Sequence, residues 1–457
     1  METKNFIVLS KSNKEENLIK KIILSSNWKL ISSSILLSLF GLLMIWSATF
    51  YSNTQIYVTK QMIALVIGIV LLIIFSIINY QLFEPYFLYL YFLCVLILIL
   101  VLLIGSTYRG TKAWIDLKFF TLQPSEIVRI IFILVLAGYF DKNWRNLESF
   151  IRFFVAAVMV SVIFLLLLLE GDFSAIVVYI PILISIFYLV EINRKILFYS
   201  ILFFVFTSTL FIIKTYLSLS NIAQLPKLIK WFYTSLTGFN INWIIIILIL
   251  GTMIFFIWWI LKKLLFNVSL ESLILTILII WTSYSCVIIS HKIIKPYQQK
   301  RIVAFLNPYF DPTGAGYQVI QTRIAIGSGK FLGKGLFNST QGKLGFVPEK
   351  HTDFIFGLLA EEFGFIGSTI VIILYFILIL ESIRITQTAR DTFGSIIACG
   401  ISSMFSFYFL INIGMCLGLL PVVGIPLPFL SYGGSNLVAS FLAVGILNSI
   451  HIRKFMY

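Results

Sequence analysis

The sequence predicts an all-α integral membrane protein with many transmembrane helices. Of its 457 residues, 60% are hydrophobic and only 12% are charged, and a soluble fold of this size cannot bury that much apolar surface. Runs of about 20 apolar residues, enough to cross a bilayer, recur along the chain. One large polar loop, Lys292 to Thr352, interrupts this pattern and concentrates the candidate chemistry.

Twelve apolar segments are predicted to span the membrane, within a single transmembrane domain from residue 28 to 457. They are Trp28–Phe50, Gln61–Tyr80, Pro85–Ile104, Ser125–Phe140, Ile151–Leu169, Phe173–Val190, Ile196–Lys214, Ile241–Leu264, Leu270–Ser290, Phe354–Leu380, Thr392–Leu419 and Leu427–Ile450. Residues 1–27 are polar and lysine-rich and are expected to form a cytoplasmic tail before an uncleaved first helix. Between residues 216 and 240, Trp231, Phe232 and Tyr233 are typical of a segment at the membrane surface.

The net charge of +15 indicates membrane orientation rather than binding to nucleic acid. Lys and Arg collect in cytoplasmic loops, and this bias is met in every short inside loop if the N-terminus is cytoplasmic. Both termini are therefore expected inside, and the loop 292–352 outside. An anionic partner, such as a lipid phosphate, is the second interpretation of the charge.

The predicted outer loop is basic and rich in glycine. It holds nine Lys and Arg residues against only Asp311 and Glu349. Either attraction to anionic headgroups or a phosphate-bearing ligand explains this charge. Because glycine lets backbone approach a ligand closely, we expect the loop to fold over the outer mouth of the bundle, with a short helix at Tyr317–Ile326.

Charged residues in or beside apolar spans are costly in a bilayer and therefore mark candidate sites. Glu126 and Arg129 are three residues apart on one helix face and are expected to pair, either as a structural ion pair or in a polar cavity. Other candidates have ordinary structural explanations as well: Asp353 as a helix cap, and Asp311 before Pro312 as a rigid turn. The remaining charged candidates are Glu170, Asp172, Glu361 and Glu362.

The sequence contains several long motifs: Trp114-Ile115-Asp116, Gln123-Pro124-Ser125-Glu126, Asp311-Pro312-Thr313-Gly314-Ala315-Gly316-Tyr317, Gly333-Lys334-Gly335, His351-Thr352-Asp353-Phe354, Ala360-Glu361-Glu362 and Ser431-Tyr432-Gly433-Gly434-Ser435. Together they resemble the SEDS family of shape, elongation, division and sporulation proteins, over about residues 28–190 and 295–452. Thr340-Gln341 and Asn412-Ile413-Gly414-Met415 are more similar to the elongation branch than to the division branch.

The resemblance implies a peptidoglycan glycosyltransferase of the cytoplasmic (inner) membrane. Such an enzyme polymerises lipid II into undecaprenyl-pyrophosphate-linked glycan at the outer face, beside a class B penicillin-binding protein and the elongation machinery. Asp311 matches the family's essential aspartate, and Lys112 and Glu126 match positions that line its central cavity. The family core has ten spans, so residues 196–291 are expected to contain an inserted pair of helices.

Two local departures from the family pattern affect candidate residues. Arg129 stands where lysine is usual, and the two differ in hydrogen-bond geometry. Glu170-Gly171-Asp172-Phe173-Ser174 stands where Gln-Pro-Asp-Leu-Gly is usual, so only Asp172 carries over and a role for that turn is weakened.

The predicted mechanism uses Asp311 as the general base that activates the acceptor hydroxyl. Basic residues are expected to hold the pyrophosphate: Lys112, Arg129, Arg323 or Lys334. Trp114, Glu126, Asp353, Glu361 and Glu362 complete the predicted substrate site. No metal cage is visible, which leaves open a Mg²⁺ or Mn²⁺ ion carried by the substrate phosphates. A lipid II flippase and a scaffold for the transpeptidase are the alternatives, but polar residues cluster in the predicted outer half, which favours the enzyme.

Overall fold

A computed structural model of the chain describes residues 24–50, 55–108, 111–116, 121–143, 147–219, 226–264, 269–293, 296–310, 314–340 and 350–454. Their helices are α1 (Trp28–Thr49), α2 (Ile56–Ile77), α3 (Phe87–Ile104), α4 (Pro124–Asn143), α5 (Ser149–Glu170), α6 (Phe173–Leu189), α7 (Arg194–Leu219), α8 (Lys227–Thr237), α9 (Ile241–Lys263), α10 (Leu270–Ile293), α11 (Pro296–Leu306), α12 (Ala315–Ser328), α13 (Ile355–Thr388), α14 (Thr392–Cys416) and α15 (Gly434–Arg453).

Each predicted span corresponds to one of these helices, and the all-α polytopic fold class is confirmed. Ten helical stretches in the described part of the chain are long and apolar enough to cross a membrane. The two other predicted spans fall short for visible reasons. Helix α6 has only 17 residues, and α4 carries Glu126, Arg129, Asp141 and Lys142 within 20 residues.

The first of two compact units comprises Met1–Glu191, Gln321–Cys416 and Gly424–Tyr457. Within it α15 packs along α2, and α13 lies against α1 and α14. Small residues let transmembrane helices approach closely. A Cβ atom on Gly68 of α2 would lie 2.6 Å from the Phe441 ring of α15, and one on Gly41 of α1 would lie 2.6 Å from the Phe429 carbonyl oxygen. Glycine therefore allows α2 to pack closely on α15, and α1 on the segment that precedes α15.

The second unit comprises Ile192–Ile320 and Leu417–Val423. Helix α7 packs on α10 and α11, and α8 packs on α9 and α10. These helices share a core that includes Phe211, Leu236 and Tyr284. The segment expected at the membrane surface forms helix α8, whose Lys227 and Lys230 are exposed while Leu236 is buried.

Three local features differ from the sequence expectations. Strands β1 (Ser106–Tyr108), β2 (Thr111–Asp116) and β3 (Thr121–Leu122) form a small antiparallel sheet that was not predicted. The stretch 292–352 contains helix α11 as well as α12, which includes the short helix expected there. Asp353 is not the N-cap residue of α13, because that position is Phe354, whose side chain makes no capping hydrogen bond.

Helix α13 is broken at Gly364, whose φ of 64° and ψ of −158° are non-helical. The segment after α12 satisfies the backbone there. Lys334 N donates to Glu361 O at 3.0 Å, and Phe365 N donates to Lys330 O at 2.9 Å. Non-helical backbone is tolerated at membrane depth only where protein supplies such partners. The segment after α12 therefore supplies the hydrogen-bond partners that the break in α13 requires.

Candidate functional site

The centre of the candidate site is an ion pair on α4. Pro124 stands at the first helical position, where its missing N–H is harmless. Glu126 and Arg129 then fall on one face, with relative exposures of 7% and 1%. Arg129 Nη1 donates to Glu126 Oε2 at 2.7 Å, so the predicted pairing is confirmed.

Residues from other helices complete this cluster. The Tyr408 hydroxyl of α14 donates to Glu126 Oε2 at 3.0 Å and accepts a hydrogen bond from Arg129 Nη1. Asn436 Nδ2 of α15 lies 3.3 Å from the same carboxylate oxygen. The Arg129 guanidinium also lies 5.8 Å from the Tyr179 ring centroid and 5.4 Å from that of Tyr408. Buried charges survive when they are paired and hydrogen-bonded in this way.

The arrangement leaves one donor of Arg129 available. Arg129 Nε has no hydrogen-bond partner among the described residues. Because an unsatisfied buried donor is unfavourable, the guanidinium is suited to donate a further hydrogen bond to an anionic or polar group. Among the described residues, no group of three or more His, Cys, Asp or Glu side chains is arranged to hold a metal ion.

Asp172 ties the turn after α5 to the start of α4. Its Oδ2 accepts hydrogen bonds from Gln123 Nε2 at 2.7 Å and Ser125 Oγ at 3.1 Å. Its Oδ1 caps α6 through the Ala175 amide at 3.1 Å. The departure from the family pattern weakened the predicted role of this turn, yet Asp172 lies beside the Glu126 cluster through its bond to Ser125. Glu170 is also buried, and neither of its carboxylate oxygens has a hydrogen-bond partner among the described residues.

Lys112 and Trp114 lie on strand β2, at the end of α3. Lys112 Nζ donates to the carbonyl oxygens of Leu102 at 2.5 Å and Leu103 at 3.4 Å. A cation in this position satisfies the last carbonyls of a helix and favours its dipole. The Trp114 carbonyl accepts from Ser106 Oγ at 3.1 Å. In this structure Lys112 attaches β2 to the end of α3, whereas the Trp114 contact joins β2 to β1.

Glu361 and Glu362 lie on α13 just before its break and are buried at 0% and 2% exposure. Lys334 Nζ is 2.7 Å from Glu361 Oε1. Glu361 therefore has a cationic partner, as a carboxylate buried in an apolar helix requires. Burial lowers the pKa of the Lys350 ammonium, and the charge of Glu362 opposes that shift.

The other predicted site residues are distributed around this unit. Arg323 is exposed on α12, and Asp353 is half-buried before α13. The Asp353 carbonyl accepts from Asn412 Nδ2 at 2.9 Å. Asp311, the predicted base, lies outside the described residues.

Sequence reasoning missed Tyr408 and Asn436. Asn436 directly follows the Gly434-Ser435 end of a family motif, and a polar amide at the start of an apolar helix was an available signal. Tyr408 gave no signal, because tyrosine is common in membrane helices.

A helical bundle with a buried ionic cluster defines this chain as a multi-pass membrane protein with a polar site inside it. The sequence pattern of a family described as cell cycle protein, comprising FtsW, RodA and SpoVE, matches residues 27–232 and 213–455. The chain belongs to this family, as its motifs indicated.

Curated relatives match along nearly their whole length. The chain is 31% identical to the peptidoglycan glycosyltransferase RodA of Treponema pallidum, over 94% of this chain and 98% of that protein. It is 31% identical to the peptidoglycan glycosyltransferase MrdB of Escherichia coli K12, over 92% of each. Stage V sporulation protein E of Bacillus subtilis is 30% identical, over 92% of this chain and 95% of that protein.

Solved structures share the fold. One is a chain of a peptidoglycan synthase complex described as coordinating polymerization and crosslinking. It has a TM-score of 0.61 and 21% identity, and the match covers 94% of this chain and 99% of that chain. Another is the rod shape determining protein RodA of Thermus thermophilus, with a TM-score of 0.57 and 19% identity, covering 94% and 98%.

Proposed function

We propose that this chain is a peptidoglycan glycosyltransferase that polymerises lipid II into glycan strands during cell elongation. The observation that carries the proposal is its similarity to RodA of Treponema pallidum, which spans 94% of this chain and 98% of that protein. The buried pair of Glu126 and Arg129, with its unpartnered Nε donor, supplies a polar site inside the bundle that suits an anionic substrate.

The reaction is a single displacement at the anomeric carbon of the donor. The 4-hydroxyl of the acceptor's N-acetylglucosamine attacks that carbon, the bond to the lipid pyrophosphate breaks, and Asp311 takes the hydroxyl proton. Undecaprenyl pyrophosphate leaves with the bonding electron pair. One carboxylate suffices, in contrast to the two that glycosidases use for hydrolysis.

The departing pyrophosphate needs positive charge. Arg129 and Arg323 are the better candidates of the four predicted cations, because Lys112 caps α3 and Lys334 pairs with Glu361. An Mg²⁺ or Mn²⁺ ion would enter with the pyrophosphate oxygens, which suit such hard cations.

The charge bias of the short loops supports an orientation with both termini in the cytoplasm and residues 292–352 outside. In the inner membrane, this orientation gives the loop that carries Asp311 access to outward-facing lipid II. The fold shared with a chain of a peptidoglycan synthase complex supports a class B penicillin-binding protein as the partner within the elongation machinery.

The test uses the purified full-length protein, alone and with a co-purified transpeptidase partner, incubated with lipid II. Glycan strands are separated on gels, and the partner's cross-linking is blocked with a β-lactam. We expect strands of many disaccharides. If no strands form in either preparation while lipid II crosses proteoliposome bilayers, the chain is a transporter and the proposal fails.

A further inference from the structure

Two neighbouring carboxylates on α13 hold the segment Gly329–Thr340, called here the clasp. Glu361 Oε1 accepts from Lys334 Nζ at 2.7 Å, from Thr340 N at 2.9 Å and from Thr340 Oγ1 at 2.7 Å. Glu361 is fully buried, and the ammonium of Lys334 in the clasp pairs with its charge. Charge-assisted hydrogen bonds of this kind are about twice as strong as neutral ones.

Glu362 binds the same segment from the next position. The backbone amides of Phe337 and Ser339 are directed at its carboxylate, and the Ser47 hydroxyl of α1 donates to it. The Phe337 ring adds an apolar contact with α1, since its centroid lies 5.0 Å from that of Trp46. The clasp is thus connected to α1 as well as to α13.

Glycine allows the clasp to lie directly on the helix backbone. A Cβ atom on Gly329 would lie 1.9 Å from the Ala360 carbonyl oxygen, and one on Gly333 would lie 2.1 Å from the Glu362 carbonyl oxygen. Gly333 also has a φ of +79°, which other residues adopt only with strain. Hydrogen bonds across the break at Gly364 complete the contact. These close backbone contacts therefore place the clasp at one defined position on α13.

We propose that Glu361 and Glu362 are positioning residues of the transferase, and that Lys334 serves the clasp rather than the substrate pyrophosphate. The clasp directly follows α12 (Ala315–Ser328), which itself begins four residues after Asp311 in the sequence. Holding the clasp on α13 fixes the C-terminal end of the segment that carries the proposed base. The effect of Glu361 and Glu362 on catalysis rests on the proposed function, whereas their role in holding the clasp on α13 does not.

The first test measures hydrogen exchange of the clasp in the purified full-length protein. Glu361→Gln weakens the acceptor of the Lys334 and Thr340 donors, so amide exchange in residues 329–340 is expected to rise at least tenfold while α14 and α15 stay protected. Thr340→Val removes the Oγ1 donor and keeps the size of the side chain. It is expected to raise amide exchange in the same residues by a smaller factor. Lys330→Met is the matched control, because this lysine lies in the clasp with its side chain exposed.

The second test separates positioning from substrate binding by kinetics with lipid II. Lys334→Met and Glu361→Gln are expected to lower kcat severalfold with KM changed less than twofold, and the double variant is expected to match Glu361→Gln alone. Lys334→Arg is expected to restore most of the rate. The proposal is overturned if Lys334→Met raises KM by the same factor in the wild type and in Glu361→Gln, and amide exchange in the clasp stays at the wild-type rate. If the wild type makes no strands but the variants change amide exchange as expected, the proposed function fails, whereas the role of Glu361 and Glu362 in holding the clasp is retained.

Discussion

Replacing Arg129 with methionine tests the buried ion pair on α4. The variant leaves the Glu126 carboxylate at 7% exposure without the cation that lies 2.7 Å away. Breaking a buried pair by removing one partner costs about 3–5 kcal/mol, because the other charge stays buried and uncompensated. The lost stacking on Tyr179 and Tyr408 contributes about 1–2 kcal/mol of that loss.

The assay is reversible unfolding in mixed micelles, followed by tryptophan fluorescence during titration with SDS. Glu126→Gln alone is expected to cost a similar free energy of unfolding, since it leaves Arg129 unpaired. The double variant removes both charges, so it is expected to cost less than either single variant. An Arg129→Met variant within about 1 kcal/mol of wild type, or two single effects that simply add, would show that Glu126 and Arg129 do not stabilise the fold as a pair.

Three further substitutions test separate parts of the structure. Gly333→Ala is expected to destabilise the protein by about 1–3 kcal/mol, because its Cβ meets the Glu362 carbonyl, whereas Gly327→Ala, with nothing within 4 Å, is expected not to destabilise it. Asp172→Ala is expected to lower stability by about 1–2 kcal/mol, because it removes the cap of α6 and the charged acceptor of Gln123 and Ser125. Lys112→Met is expected to lower stability by about 0.3–1 kcal/mol with KM for lipid II unchanged. Thermal unfolding measures the stabilities, and a several-fold rise in KM would instead assign Lys112 to the substrate.

The sequence predicted the helices well because a bilayer demands apolar runs of a fixed minimum length. It placed their ends less well. Helix α13 continues to Thr388, past the predicted end at Leu380, because a helix does not stop where its apolar run stops. The strands of the small sheet have 3, 6 and 2 residues, too few for alternation to be recognised.

The local part of the site was predictable, and the distant part was not. Glu126 and Arg129 are three residues apart, so helix geometry alone predicts their contact. Tyr408 and Asn436 reach Glu126 across sequence separations of 282 and 310 residues, and only the packing of α4, α14 and α15 brings them there. Lys334 and Glu361 were each predicted to bind substrate, and the sequence did not show that Lys334 Nζ lies 2.7 Å from Glu361 Oε1.

In the proposed mechanism, Asp311 is the base of a lipid II polymerase. The direct measurement is the initial rate of glycan-strand formation by wild type, Asp311→Ala and Asp311→Asn, each with its partner and each checked for unchanged thermal unfolding. This role of Asp311 predicts that both variants lose about 10²–10⁴-fold in rate, the usual contribution of a general base. A rate within a factor of about two of wild type for Asp311→Ala would contradict it.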